Sequence, residues 1–272
     1  MSDSKGLGLS ISITPLNYAD IPACASITAD AFSTDPHTIV KQLGSKPFDM
    51  YKVSIDGFLS TLHRRNCVYV KAVDNSTGEI VGHAGWGFRG VEESKIPWAG
   101  PTDSQPLEKD AKHELREREI EARGSGENEG DEVVKAESWD TSGIDRLHAL
   151  EDTDMQHMMA VLMPEGTSCM YILGLIISPS HQSLGVGSAL IQHGAAIADK
   201  LGLFTWVHSS NQAWRAYSKF GFEVVSTLDV DLDQYAPRSP RMGECVMRDN
   251  GGKEGGNWGR YVIRHMKRMP QI

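Results

Sequence analysis

No apolar run in these 272 residues exceeds MYILGLII at 170–177, far short of the roughly 20 residues that a bilayer-spanning helix requires. The amino terminus, MSDSKGLGLSISITPL, lacks the basic region and long apolar stretch of a secretory leader. Cysteine is scarce: Cys24, Cys67, Cys169 and Cys245 are scattered, with no Cys-x-x-Cys pair and no histidine cluster at ligand spacing. That pattern argues against a disulfide framework and against a metal site. Basic residues are outnumbered, giving a formal charge of −9, which excludes a surface built to wrap nucleic acid and leaves room for a cationic small molecule. The expectation is a soluble, membrane-free protein of a reducing compartment, cytoplasmic or nuclear.

What is present reads as alternating strands and helices. Leu9, Ile11 and Ile13 alternate with polar residues, the period of a half-buried strand. A helix follows, with Asp20 placed to cap it, Pro22 in its first turn, and Ile21, Cys24, Ile27 and Ala31 at helical spacing. A second helix is expected around Ile55, Phe58, Leu59 and Leu62. CVYVKAV (67–73) and IVGHAGWGF (80–88) flank the turn DNSTGE and read as a hairpin. From about 100 to 142 the composition shifts to Pro, Gly, Ser and dense charge, as in GSGENEGDE, too poor in apolar surface to order itself. It is expected to be an acidic, flexible insertion within a single domain spanning 1–272.

After it come a helix across Ile144–Leu162 whose methionines read as core, the apolar strand at 170–178, and a helix carrying Val186, Leu190, Ile197 and Leu201 on one side. A strand at 204–209, a helix at 213–220 and strands at 222–232 and 260–268 complete the order. Only an α/β class with a central mixed, twisted sheet flanked by helices accommodates it.

The turn between strand and helix, SPSHQSLGVGSAL at 178–190, concentrates Pro179, Gln182, Gly185 and Gly187. Glycines lacking Cβ let the backbone approach a ligand closely. The first N–H groups of the following helix have no intrahelical acceptor, so an anion, above all a phosphate or pyrophosphate, is the natural occupant. Two glycine-turn motifs fail here. A P-loop needs Lys-Ser or Lys-Thr after its second glycine, and Gly187 precedes Ser188-Ala189. The dinucleotide fingerprint needs Gly or Ala where Leu190 stands and an acidic residue near Trp206.

The longer pattern, Leu175-x-Ile177-x-Pro179-x-x-Gln182-x-x-Gly185-Val186-Gly187-x-x-Leu190, together with Tyr217-Ser218-Lys219-Phe220-Gly221-Phe222, resembles the GNAT-type N-acetyltransferase superfamily. The likeness covers 10–88 by element order and 145–232 by order plus motif. It implies a GNAT-like acyl-CoA N-acyltransferase fold with acetyl-CoA as co-substrate. Backbone N–H groups of Gln182, Ser183, Leu184, Gly185, Val186, Gly187 and Ser188 would hold the pyrophosphate. Main-chain groups near Ile177 would pair with the pantetheine arm, with help from Asn211. Ser183 departs from the pattern, since that position is often glycine in the family.

The resemblance also implies direct attack of an amine on the thioester, with Tyr217 hydrogen-bonding the leaving sulfur. No acidic residue occupies 170–178, so His208, near the end of the next strand and expected to titrate near neutrality, is the candidate base. Glu165 and His157 are poorer choices, and Cys169 reads as a buried hydrophobe rather than a nucleophile. A small-molecule amine is the expected acceptor, lying between the early helices near Phe32–Phe58 and the stretch 233–259. A protein lysine or N-terminal acetyltransferase and a non-catalytic acyl-CoA-binding module remain as alternatives.

Overall fold

A computed structural model describes residues 9–105, 142–247 and 257–271. The heart of the expected acidic insertion, 106–141, lies outside them. Strands β1 (Ile11–Pro15), β2 (Cys67–Asp74), β3 (Ile80–Arg89), β4 (Cys169–Ile177), β5 (Phe204–Ser209), β6 (Glu223–Asp231) and β7 (Arg260–Arg268) form one sheet in the order β1-β2-β3-β4-β5-β7-β6. The helices are α1 (Ile21–Phe32), α2 (Pro36–Lys41), α3 (Met50–Thr61), α4 (Ser142–Leu162), α5 (Val186–Leu201) and α6 (Trp214–Ser218). The mixed α/β architecture matches the expectation. Among the described residues no helix is long and apolar enough to cross a membrane, and no group of three or more His, Cys, Asp or Glu could hold a metal ion.

Two local readings differ. Asp20 precedes α1 but caps nothing there. Its carboxylate accepts from the Asn17 amide at 2.8 Å and pairs with Lys71 at 2.5 Å, because a short 3-10 turn at Tyr18–Asp20 already leads the chain into the helix. Helix α2 falls in a stretch left unassigned from sequence. Its signal is nonetheless conventional: Asp35 accepts from the Thr38 amide at 3.0 Å and Pro36 supplies a first-turn φ.

Helix α5 seats Val186, Leu190 and Ala198 on one sheet face against Trp86 and Met170. Its packing is close at Gly194, where an added Cβ would fall 2.4 Å from the Trp86 ring nitrogen. Helices α1 and α3 pack Ile21, Cys24 and Phe58 with Leu16 and Leu62 in a second cluster. Ile191, Val207, Tyr217, Phe222 and Met266 form a third, which ties α5 and α6 to the far strands.

The sheet has one parallel junction, between β4 and β5, and it is short. Cys169, Met170 and Tyr171 pair with Phe204, Thr205 and Trp206, and no further pair forms. From Ile172 onward β4 has no strand partner on that side. The register of β4 on β3 also slips, Gly85 facing Gly174 while Trp86 faces Ile172. Leu173 is therefore an extra, bulged residue, 41% exposed. A bulge adds twist and bends its strand, and the splayed pair opens the sheet where two of the cavities lie.

Candidate active site

The first cavity, about 530 Å³, is walled by the end of β4 (Leu175–Ile177), by Gln182, Ser183, Gly185, Gly187 and Ser188 of the turn, and by Gln212 to Lys219 around α6. Gly185 stands just before α5 at φ 92°, a left-handed conformation that glycine adopts without a steric cost. Ser183 is the sole non-glycine with positive φ among the described residues, at 62°. The departure noted above therefore carries a cost: the backbone at 183 takes a shape that suits glycine, and serine holds it under strain of about 1–2 kcal/mol.

The amides of this turn are available. The Gln182 N–H is drawn back toward the Pro179 carbonyl at 3.5 Å, and the first helical amide to find an acceptor is Ala189, on the Gly185 carbonyl at 3.0 Å. Between them, the N–H groups of Ser183, Leu184, Gly185, Val186, Gly187 and Ser188 donate to no backbone carbonyl among the described residues. A run of unspent donors at a helix N-terminus attracts an anion by direct hydrogen bonds and by the helix dipole. Val186 is 1% exposed and anchors the turn in the core, while Leu184, 52% exposed, faces outward. At Gly187 a Cβ would lie 3.2 Å from the Ile177 side chain, so its absence keeps turn and strand end close.

The second cavity, about 460 Å³, lies between β4, β5 and helices α1 and α3, with His83, His208, Phe58 and Tyr69 among its walls. Both cavities are lined by Phe32, Leu175, Ile176, Ser210, Ala213 and Tyr217, so they meet at Tyr217. That tyrosine is 4% exposed and packs edge-on against Phe222, ring centroids 5.4 Å apart. Burial pushes its pKa well above the ordinary value, so the hydroxyl stays a proton donor at neutral pH. No hydrogen-bond partner for it is found among the described residues.

His208 lines the second cavity and stacks on His265 with centroids 5.0 Å apart. His265, 0% exposed, is held through Nε2 to Asp154 at 2.6 Å. The expectation that His208 titrates near neutrality is not met. Desolvation, and then the neighbouring His265, bring its pKa down to about 4, so it is a neutral acceptor at pH 7. His83, invisible to the sequence reading as a cavity residue, is likewise lowered to about 4 by burial. Its Nε2 sits 3.0 Å from the Thr28 hydroxyl.

Other residues singled out from sequence fall elsewhere. Asn211 does not line the first cavity; its amide oxygen accepts from Arg264 at 3.3 Å, and the neighbouring Gln212 and, further on, Lys219 take the wall. Lys219 stands in the motif Tyr217-x-Lys219, but from sequence alone it had no assigned role. The described part of 233–259 lines neither cavity. Asp233 accepts from the Trp258 and Gly259 amides at 2.8 and 3.0 Å, which folds that stretch into the core around β6 and β7. Cys169 is fully buried, with its thiol pKa raised by burial, as suits a core residue.

Residues 135–222 match the family model described as "Acetyltransferase (GNAT) family". No curated protein sequence matches the chain. Among solved structures, arylalkylamine N-acetyltransferase 2 from Aedes aegypti superposes with a TM-score of 0.53 at 15% identity, covering 96% of this chain and 100% of that one. Polyamine N-acetyltransferase from Drosophila melanogaster, which forms N-acetylagmatine, gives 0.51 at 15%, with coverage of 96% and 100%. A mosquito arylalkylamine N-acetyltransferase-like 5b gives 0.50 at 15%, again over 96% and 100%. At such identities the likeness is one of fold.

Proposed function

We infer that this chain, which carries a GNAT-family acetyltransferase domain across residues 135–222, transfers the acetyl group of acetyl-CoA to a small-molecule primary amine. The observation that carries the reading is the run of unspent amides from Ser183 to Ser188 on a cavity that meets a second one at Tyr217. The donor set fits a diphosphate, and Lys219 on the same wall adds a cation. The unpartnered edge of β4 up to Ile177 offers main-chain groups to an amide-bearing arm. That fold-level neighbours acetylate polyamines and arylalkylamines favours a small amine over a protein acceptor.

In the transfer, an N–C bond forms, the C–S bond breaks, and the nitrogen loses one proton. A base with a pKa of about 4 cannot strip an alkylammonium of pKa about 10.4, since the gap of about 6 units amounts to about 9 kcal/mol. Arrival of the amine already neutral costs about 3 units at pH 7, or about 4 kcal/mol. The amine therefore enters deprotonated, and His208 accepts the proton only once the attacking nitrogen has become acidic. Tyr217 donates to the departing sulfur. Holding both reactants in register contributes about 7–11 kcal/mol and outweighs the deprotonation.

Calorimetric titration with CoA of the wild type and Gly187→Glu tests the reading. The expected result is binding by the wild type and a loss of at least about tenfold in the variant, where a carboxylate replaces the open approach to the helix start. Equal affinities overturn the assignment of the turn. Release of free thiol on an amine panel then separates an enzyme from a binding module.

A further inference from the structure

The second cavity has a chemical character that the transfer reaction does not require. No Asp, Glu, Lys or Arg is among its lining residues. Apart from Tyr217, where the two cavities meet, several of its hydroxyl protons are already committed: Ser54 donates to the Met50 carbonyl at 2.8 Å, Ser60 to Gly57 at 2.9 Å, and Thr28 to Cys24 at 3.0 Å. What these groups still offer is oxygen lone pairs that accept. Both histidines of the wall are neutral at pH 7: His83 is buried and lowered to about 4, and His208, whose side chain is open to the cavity, is lowered to about 4 by desolvation and by the neighbouring His265. The remainder is apolar and aromatic. Phe58 packs edge-on against Tyr69 at 5.6 Å and against His83 at 5.3 Å, and Phe32, Leu173 and Ile172 complete the wall.

Resting on the acetyl-transfer reading, we propose that this cavity selects primary monoamines borne on an apolar, aromatic body and rejects acceptors that carry a second positive charge. A neutral amine finds acceptors for its N–H groups, and an aromatic ring finds the edge-and-face contacts that aromatic walls favour. A second ammonium would leave water for a site whose own lining holds no carboxylate. Asp35 on the adjoining cavity is engaged by the Thr38 amide and hydroxyl, and an unpaired buried charge costs far more than an apolar contact returns. The same logic counts against a lysine in a peptide whose neighbouring residues bring further charge to these walls.

The test is a comparison of kcat/KM on the intact chain for matched acceptors. The pair n-hexylamine and 1,6-diaminohexane differs by one ammonium, and the pair 2-phenylethylamine and n-butylamine by the ring. The monoamine is expected to win the first comparison by at least about tenfold, and the aromatic amine the second. In Ser54→Asp, which places a carboxylate on the wall, the diamine is expected to regain about tenfold relative to the monoamine. If the wild type uses the diamine, or a lysyl peptide, as well as or better than the apolar monoamines, the specificity is refuted while acetyl transfer stands. If CoA binds and no amine is acetylated, the transfer reading fails and the specificity with it.

Discussion

Replacing Tyr217 by Phe separates catalysis from folding. Tyr217 lines both cavities, and its hydroxyl has no hydrogen-bond partner among the described residues. Phe keeps the ring packed on Phe222 and leaves no orphaned group behind. Removing a nearly buried, unpartnered hydroxyl relieves a desolvation cost, so the variant should be as stable as the wild type or more so, by about 0–1 kcal/mol. That corresponds to a rise in Tm of up to about 3 °C for a chain of this length. A donor aimed at the developing thiolate is another matter: loss of one such donor typically lowers kcat by about 10²–10³. Affinity for CoA should not change, because the contact strengthens only as the sulfur gains charge. Differential scanning calorimetry, CoA titration and steady-state thiol release on one preparation read all of these quantities. An unchanged kcat, or a kcat that falls only in step with a lowered Tm, would refute the role.

Ser183→Gly should relieve the left-handed strain at φ 62° at the cost of unfolded-chain entropy, a net gain of about 0–1 kcal/mol seen in urea melts, with CoA affinity retained. Gly194→Ala drives a Cβ to 2.4 Å from the Trp86 ring nitrogen; over-packing of about 1–3 kcal/mol is expected, with a Tm drop of several degrees and weakened CoA binding as α5 shifts. His83 is lowered to about 4 by burial, so the unfolded chain takes up a proton that the folded chain refuses between pH 6.5 and 4. Stability is complete above that window and falls by roughly 3 kcal/mol as pH drops through it; urea midpoints at pH 7 and 4.5 measure this, and His83→Gln should show a shallower slope. With His208 also near 4, kcat/KM for an alkylamine should climb tenfold per pH unit from 6 to 9 with no enzyme inflection near 6.5. An inflection there would assign the proton to another group.

Much of the site could be read before folding because its chemistry is local. The amides from Ser183 to Ser188 are free as a consequence of where a helix begins, and a helix start is written in a few neighbouring residues, here Pro179, Gly185 and Gly187. Tyr217 was singled out for the same reason, as part of one short motif, whereas Lys219 of that motif takes its role only from the cavity wall. His208 shows the limit. Its residue type and strand position were plain, but its pKa depends on desolvation by the surrounding segments and on the stacked His265, which lie far from it in sequence. Asn211 was placed in the correct connection, yet Arg264 of β7 claims its amide, while Gln212 lines the cavity.

The sequence by itself determined the elements, since period-2 and period-3.6 patterns, caps and glycine stops act within a turn or a strand. It also determined where a glycine turn leaves a run of helix-start amides open. Tertiary structure alone decided that β4 and β5 part after Tyr171 and Trp206, that His83 from one hairpin and His208 from a distant strand share a cavity, and that this cavity is without formal charge. The reason is that burial and electrostatic surroundings are set by which distant segments meet, and no local pattern encodes that meeting.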